Sequence, residues 1–361
     1  MAKLEDSLHA VILAGGAGER FWPASRQALP KPFLKVIGGE SLLASTLSRA
    51  SRFAAFERTW VVAGREHAKA VRAESGLPAR RVLAEPARRN TAMAIAYAAA
   101  RIRVQDPDAV MVVLPADHVI RDGRAFRAAI RKAARAALEA DVLVTLGVEP
   151  KWPDTGLGYI QRGLAVGPKA PGLYRVRRFV EKPSDERARR YLGTGDYFWN
   201  AGIFAWSVRA ILAEIEAHVP ELHRALRPLL DSRRRPSAEQ LRRIYQRAPS
   251  VSIDVAVLER SRRVWTLPVR FRWSDVGTWA ALAEELGVKS GRSRSVAGGL
   301  VECDSAANLV WSEDRTVALL GVEGLAVIDT PDALLVARLE RSSEVRRVVA
   351  RLKSSGRSEI T

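Results

Sequence analysis

An α/β fold with a mostly parallel sheet is predicted for residues 1–288, followed by a small β-rich domain over 289–361 that ends in a helix. Three observations predict it. Short apolar runs alternate with helical patterns through the first half of the chain, as in sheets whose strands are joined by helical crossovers. The first of those runs passes straight into the glycine-rich loop of VILAGGAGERFWPASR, residues 11–26. Beyond Lys289-Ser290-Gly291, a polar stretch that reads as a linker, GLVECDSAANLV and GLAVIDTPDALLV align with a shift of 25 residues, matching Gly299 with Gly324, Asp304 with Asp329 and Leu309 with Leu334. That is a weak internal repeat of strand and turn.

Strands are expected at 9–14, 59–63, 109–114 and 142–148, each short, apolar and bounded by turn residues. Helices are expected at 41–52, 66–74, 90–104 and 123–138, the third opened by Asn90-Thr91 as a cap. From about 150 the pattern changes to strands near 159–165, 174–181 and 202–206, mixed with helices at 207–217, 220–231 and 237–246. This reads as a substrate-facing insertion on the same sheet. A last helix runs from Ser342 to Lys353. Right-handed crossovers gather the strand C-termini on one edge, and both the glycine loop after Ala14 and Pro115-Ala116-Asp117 fall there, where ligands bind in such sheets.

Composition excludes several classes. A chain of 361 residues buries a large core. Its single cysteine, Cys303, excludes a disulfide framework and a cysteine-based metal site. The start, MAKLEDSLHAVILAGG, puts acidic residues ahead of an apolar stretch too short for a signal peptide, and no apolar run is long enough to span a bilayer. A cytoplasmic, soluble protein without a membrane partner is expected. The formal charge of +18, from 58 basic and 40 acidic residues, invites a nucleic-acid reading. Yet arginines are spread over nearly every predicted helix, and the tight run is confined to Arg233 to Arg235. A solvated basic surface accounts for this, and no nucleic-acid partner is expected; strong salt-dependent retention of DNA or RNA would show otherwise.

The chemistry-bearing residues begin in the loop. Gly15, Gly16 and Gly18 let main-chain N–H groups approach an anion directly, and Arg20 and Lys31 supply fixed positive charge to a polyphosphate. A plain tight turn is the competing reading. A dinucleotide fingerprint needs a helix opening at the third glycine, whereas Pro23 and Pro30 keep this segment irregular to about Pro32. Asp117, directly after a buried strand, offers a hard oxygen to magnesium, or caps the following turn. Asp275 in RWSDVGTW is a second such carboxylate, or the N-cap of a helix starting near Thr278. Lys182 in Glu181-Lys182-Pro183 suits a substrate phosphate, Asn200 in YFWNAGIFAW a hydroxylated ligand or a satisfied core position, and the Gly156–Gly158 backbone close approach to a sugar. Glu85, Arg88 and Asn90 stand at the mouth of a helix, where a carboxylate can accept from the ring N–H and amino group of guanine.

In this order, VILAGGAGERFWPASR, the Pro-Lys of LPKPFL, EPARRNTAMAIA, VVLPADHVI, GLGYI, FVEKP, FWNAGIFAW, SIDVAVLE and WSDVGTW resemble the sugar-nucleotide pyrophosphorylases, and within them the mannose-1-phosphate guanylyltransferases, over about 9–282. The resemblance implies a Rossmann-like nucleotidyltransferase core, GTP and mannose 1-phosphate as substrates, Mg2+ as cofactor, and GDP-mannose with pyrophosphate as products. It implies that Gly15, Gly16, Gly18, Arg20 and Lys31 hold the triphosphate and that Leu13, Ala14, Glu85, Arg88, Asn90 and Asp117 also contact the nucleotide. Asp117 and Asp275 would bind the metal, and Gly158, Glu181, Lys182 and Asn200 the sugar phosphate, with Arg20, Lys31 and Lys182 catalytic. The tail resembles the left-handed β-helical extension of the monofunctional enzymes, leaving no length for an isomerase domain, and offers a surface for a homodimer. Two positions depart from the family pattern: Leu29-Pro30-Lys31-Pro32-Phe33 lacks a usual tyrosine and amide, and Met93 replaces a usual proline. A different sugar or base, or a catalytically silent subunit on the same fold, are the alternatives to be separated by assay.

Overall fold

The computed structural model describes residues 2–16, 18–232, 234–288 and 292–361; the linker expected at Lys289-Ser290-Gly291 and Arg233 of the basic run lie outside them. The chain divides into two compact units. One, the sheet unit, comprises Met1–Ala14, Leu47–Pro115 and Ile120–Trp273; the other, the loop unit, comprises Gly15–Thr46, Ala116–Val119 and Ser274–Thr361.

The sheet unit is built on nine strands in the order 82–85, 59–64, 8–14, 110–115, 197–207, 143–148, 264–269, 174–180 and 159–165. The first four run parallel, as do 143–148 and 264–269. Tyr197–Ser207 lies antiparallel between those two groups, so the insertion expected after 150 does extend the same sheet. Register levels the C-terminal ends: Leu13 faces Val62 and Pro115, and Gly64 faces Glu85. Two strands escape the sequence reading, the four-residue Val82–Glu85 and Val264–Val269, which carries Pro268. Helix Asn90–Arg103 is buried without interruption from Ala92 to Ile102. A helix apolar on all faces belongs inside, and this one packs on Val208–His218 and Pro220–Leu230. Its expected cap is not formed. Asn90 adopts a left-handed φ of 62° and its Oδ1 reaches only the adjacent Thr91 N, while the Thr91 hydroxyl accepts from the N–H of Ile253.

In the loop unit, strands Arg294–Ser295, Leu309–Ser312 and Leu325–Thr330 stack in parallel, as do Leu300–Cys303 and Val317–Leu320. Leu309 faces Ala326 and Leu300 faces Val317, a step of 17 residues. The 25-residue repeat is therefore a misregister, which pairs Leu300–Cys303 with Leu325–Thr330 although they belong to different sheets; alternating apolar strands align with one another at several offsets. Side chains knit the true step: Ser312 Oγ donates to Asp329 Oδ2 at 2.8 Å and Asn308 Oδ1 accepts from Leu325 N at 2.9 Å. A core of Trp279, Leu282, Trp311, Ile328, Val345 and Val349 receives Phe21, Trp22, Leu34 and Val36 from the segment after the glycines.

Candidate active site

In the loop unit the chain leaves the strand Leu8–Ala14 through Gly15 and Gly16 and makes two short 3-10 turns, Glu19–Phe21 and Lys31–Phe33, with no α-helix opening at Gly18. A dinucleotide fingerprint is thereby excluded. A Cβ added at Gly15 or Gly16 meets nothing within 4 Å, and Gly16 has φ +110°, so bare backbone borders open space. Gly18 is confined differently. Its φ is +61°, and a Cβ there would stand 2.5 Å from Ser25 Oγ and 2.8 Å from Lys31 Cβ. Glycine lets the turn close onto Lys31. Arg20 is half-buried and makes no hydrogen bond or ion pair with a described residue.

Lys31 is 6% exposed. Its Nζ donates to Asp117 Oδ2 at 2.8 Å and to the Asp275 carbonyl at 2.7 Å, and stands 5.5 Å from the Phe21 ring centroid. Burial pushes the Asp117 carboxyl up, but Lys31, together with His118, more than offsets it and holds the group below its ordinary value. The carboxylate is therefore charged at neutral pH. Asp275 Oδ1 accepts from Gly277 N at 3.2 Å, while the helix Trp279–Leu286 is capped by the Thr278 hydroxyl at Ala281 N. Asp275 is thus no cap. Between them Val276 takes φ +43°, a costly conformation for a β-branched residue and one that concentrates at functional sites. One ammonium thus joins both acidic segments foreseen as metal ligands. Among the described residues no group of three or more His, Cys, Asp or Glu is arranged for a metal. Carboxylate oxygens are the hard donors that magnesium takes, and it seldom has an all-protein cage.

The sheet unit assembles a second set. Gly158 O accepts from Asn200 N at 2.8 Å, and a Cβ at Gly158 would stand 2.8 Å from Glu181 Oε2 and 3.4 Å from Asn200 Cβ. The three residues foreseen for the sugar therefore meet. Asn200 owes its place to a bulge: Thr145 faces Phe204 but Gly147 faces Asn200, with Gly202 at φ +65° inside the irregularity. Its Oδ1 accepts from Thr145 Oγ1 at 3.0 Å and Gly202 N at 3.1 Å, and its Nδ2 donates to Asp254 Oδ1 at 2.9 Å. Lys182 Nζ donates to Glu181 Oε1 at 2.6 Å, and Lys182 itself has φ +45°, unusual before a proline.

Sequence reasoning misses Asp254. It opens a π-helical turn, Asp254–Leu258, a distortion frequent at functional sites. Burial first, then the negative charge of Glu181, pushes its carboxyl up to about 7. The signal available is a lone carboxylate inside the apolar run of SIDVAVL.

Of the three base-reading candidates, Glu85 is the constrained one. Tyr245 OH donates to Glu85 Oε1 at 3.0 Å. Burial lifts the Glu85 carboxyl to about 7, against the lowering effect of the tyrosine. Arg88 is exposed, and Asn90 Oδ1 accepts from Thr91 N at 2.8 Å.

The sequence profile of the nucleotidyl transferase family matches residues 9–287. The chain belongs to that family. Residues 298–352 of this nucleotidyl transferase match a MannoseP isomerase/GMP-like beta-helix domain, in keeping with the parallel coils of the loop unit. It is 38% identical over 357 residues to the xanthan biosynthesis protein XanB of Xanthomonas campestris pv. campestris, covering 97% of this chain and 74% of that one. It is 39% identical over 355 residues to an Escherichia coli protein named mannose-1-phosphate guanylyltransferase, with the same two coverages of 97% and 74%. A crystal structure from Thermus thermophilus, described as a mannose-1-phosphate geranyltransferase, superposes with a TM-score of 0.87 at 37% identity, covering 96% of this chain and 99% of that one. No helix among the described residues is long and apolar enough to cross a membrane.

Proposed function

We propose that this nucleotidyl transferase moves GMP from GTP to mannose 1-phosphate, giving GDP-mannose and pyrophosphate. The attacking group is already an anion, a phosphate oxygen of the sugar, so no covalent protein nucleophile is required. It attacks the α-phosphorus of GTP in line and pyrophosphate departs on the far side, leaving the protein to align two mutually repelling anions and stabilise the leaving charge. The observation that carries this reading is the Lys31 ammonium held between Asp117 and Asp275, on a turn that closes against Gly18.

An ammonium has three N–H donors; two are engaged, and the third serves a phosphate oxygen. Lys31 and Arg20 neutralise the triphosphate by fixed electrostatics, and the Gly15 and Gly16 backbone supplies uncharged donors. Lys182 offsets the charge of the attacking phosphate. Asn200, oriented by Thr145 and Asp254, and Glu181 hold the sugar hydroxyls over the Gly158 backbone. Glu85, when ionised, accepts from the guanine ring N–H and amino group. Asp117 and Asp275 would hold Mg2+, which neutralises phosphate charge when bound.

Pyrophosphate release measured with GTP, ATP, UTP and dTTP, each against mannose and glucose 1-phosphates, tests this directly. The GTP and mannose pair should exceed every other combination in kcat/KM. Faster turnover of another pair would move the assignment to that substrate, and no turnover of any pair would leave a silent subunit.

A further inference from the structure

The guanidinium of Arg26 lies at the end of the glycine-rich segment and uses all five of its N–H donors. Nε donates to Pro23 O at 2.8 Å, Nη1 to Asp332 Oδ2 at 2.7 Å and Ile360 O at 3.0 Å, and Nη2 to Asp332 Oδ1 at 2.6 Å and Thr330 Oγ1 at 3.2 Å. Arginine has five donors in a planar fork, so none is left over. The acceptors belong to three separate stretches: the loop itself, the turn between strands Leu325–Thr330 and Ala333–Arg338, and the short turn Ser358–Ile360. Trp22 Nε1 adds a buried bond of 2.7 Å to the same Ile360 carbonyl, and Lys353 Nζ pairs with Glu19 at 2.6 Å. The segment after Gly18 is thus tied to the β-rich tail at Glu19, Trp22 and Arg26.

We infer that Arg26 and Asp332 are positioning residues for the triphosphate turn, acting through Ser25 on Gly18, which packs against both Ser25 and Lys31. Ser25 is next to Arg26 in sequence, and Ser25 N donates to Phe21 O at 2.8 Å. A Cβ at Gly18 would be 2.5 Å from Ser25 Oγ and 2.8 Å from Lys31 Cβ, so displacement of Ser25 reaches both the glycine turn and the Lys31 backbone within one layer of contacts. Close-packed contacts of this kind transmit small shifts. The tail in this account sets the geometry in which Gly15, Gly16, Arg20 and Lys31 meet an anion. The inference rests on the proposed role of that turn, but not on the identity of base or sugar.

The test uses magnesium pyrophosphate, the fragment common to every nucleotidyl transfer, with the full chain. Its Kd is measured by calorimetry for Arg26→Lys, Asp332→Ala and the double variant, beside the Kd for mannose 1-phosphate and the melting temperature. Asp332 is 51% exposed, so its truncation leaves the core packed. Each single change should weaken pyrophosphate binding roughly tenfold, the size of one lost charge-assisted hydrogen bond expressed as loop disorder. The double variant should be no worse than the poorer single, since the two side chains act as one unit, and mannose 1-phosphate binding should stay within about twofold of the wild-type value. Unchanged pyrophosphate binding in the single variants overturns the inference, whatever happens to the melting temperature. Equal weakening for both ligands overturns it too, because that marks general loosening, as does a wild-type chain that binds no pyrophosphate. Wild-type pyrophosphate binding without turnover of GTP and mannose 1-phosphate would defeat the functional reading alone.

Discussion

Lys31 Nζ and Asp117 Oδ2 lie 2.8 Å apart, in a pair whose lysine side chain is 8% exposed and whose carboxylate side chain is 26% exposed. The lysine cannot be lost without consequences on both sides. Removing it leaves the Asp117 carboxylate without its main partner and, on the proposed function, takes a fixed cation from the leaving group. Lys31→Ala should lower kcat roughly 10² to 10³ fold, as loss of one preorganised donor does elsewhere. Steady-state turnover with saturating substrates checks it, and near-normal turnover would place Lys31 outside the reaction. The pair also sets an acid limit. A carboxyl held below its ordinary value adds stability above that value and loses it as pH falls through the folded-state pKa. Wild type should therefore lose this contribution only in acid, below the ordinary aspartate range, and Lys31→Ala should lack it throughout.

Asp275→Asn separates charge from shape. An asparagine oxygen can still accept from Gly277 N, so the turn before helix Trp279–Leu286 should persist. What it cannot do is present an anionic oxygen to a cation. The expected outcome is an unchanged melting temperature with the magnesium titration of activity displaced to higher concentration. A superimposable titration would remove Asp275 from the ligand set.

If Glu85 reads the base as proposed, base recognition depends on pH. Its carboxyl, raised to about 7 chiefly by burial, must be ionised to accept two N–H groups from guanine. The KM for GTP should rise about tenfold between pH 8 and pH 6, the Henderson–Hasselbalch consequence of that pKa. Glu85→Gln should flatten the dependence and raise KM overall. Stability runs the other way, because a carboxyl raised on folding stabilises most below its unfolded value and loses that contribution as pH climbs through about 7. A GTP KM independent of pH over this range would show that another group reads the base.

How much of this is legible in the sequence follows from the range of the interactions. Strand Leu8–Ala14, the irregular loop after it and Asp117 at a strand end are readable because apolar runs and glycines act locally. Gly158, Glu181 and Asn200 can be nominated one by one, but their meeting depends on the pairing of Tyr159 with both Val180 and Trp199. Asp254 stays hidden because a π-helical turn has no simple periodic mark, and its partner Asn200 is 54 residues away. Arg26 carries no legible role within its motif, since its acceptors Asp332 and Ile360 lie more than 300 positions downstream. The 25-residue alignment fails for the opposite reason. Local alternation alone cannot choose a coil length, which is set by which strands stack.

Asp254→Ala probes the sugar end. It deprives Asn200 Nδ2 of its acceptor while leaving Thr145 and Gly202 on the other side of the amide. The KM for mannose 1-phosphate should rise about tenfold, the cost of one hydrogen bond to an ionisable group, with the KM for GTP little changed. Asp254→Asn keeps an acceptor and should restore most of the loss. Equal effects on both substrates would indicate a structural role for Asp254.

The glycines of the loop offer the sharpest separation of fold from function. Gly15 has no positive φ and no atom within 4 Å of an added Cβ, whereas Gly18 has φ +61° and would drive a methyl group against Ser25 and Lys31. Gly18→Ala should therefore destabilise the protein by about 1–3 kcal/mol, the cost of a strained backbone position, and reduce activity through Lys31. Gly15→Ala should leave the melting temperature in place, since nothing in the chain opposes the methyl group. If the Gly15 backbone meets a phosphate directly, however, that methyl occupies the ligand's approach, and pyrophosphate affinity should fall while stability does not. Thermal unfolding and pyrophosphate calorimetry separate the two variants under this reading, since Gly15→Ala should lose affinity alone and Gly18→Ala should lose stability as well. A Gly15→Ala protein that binds pyrophosphate like wild type would mean that the open face of the loop is not where the anion sits.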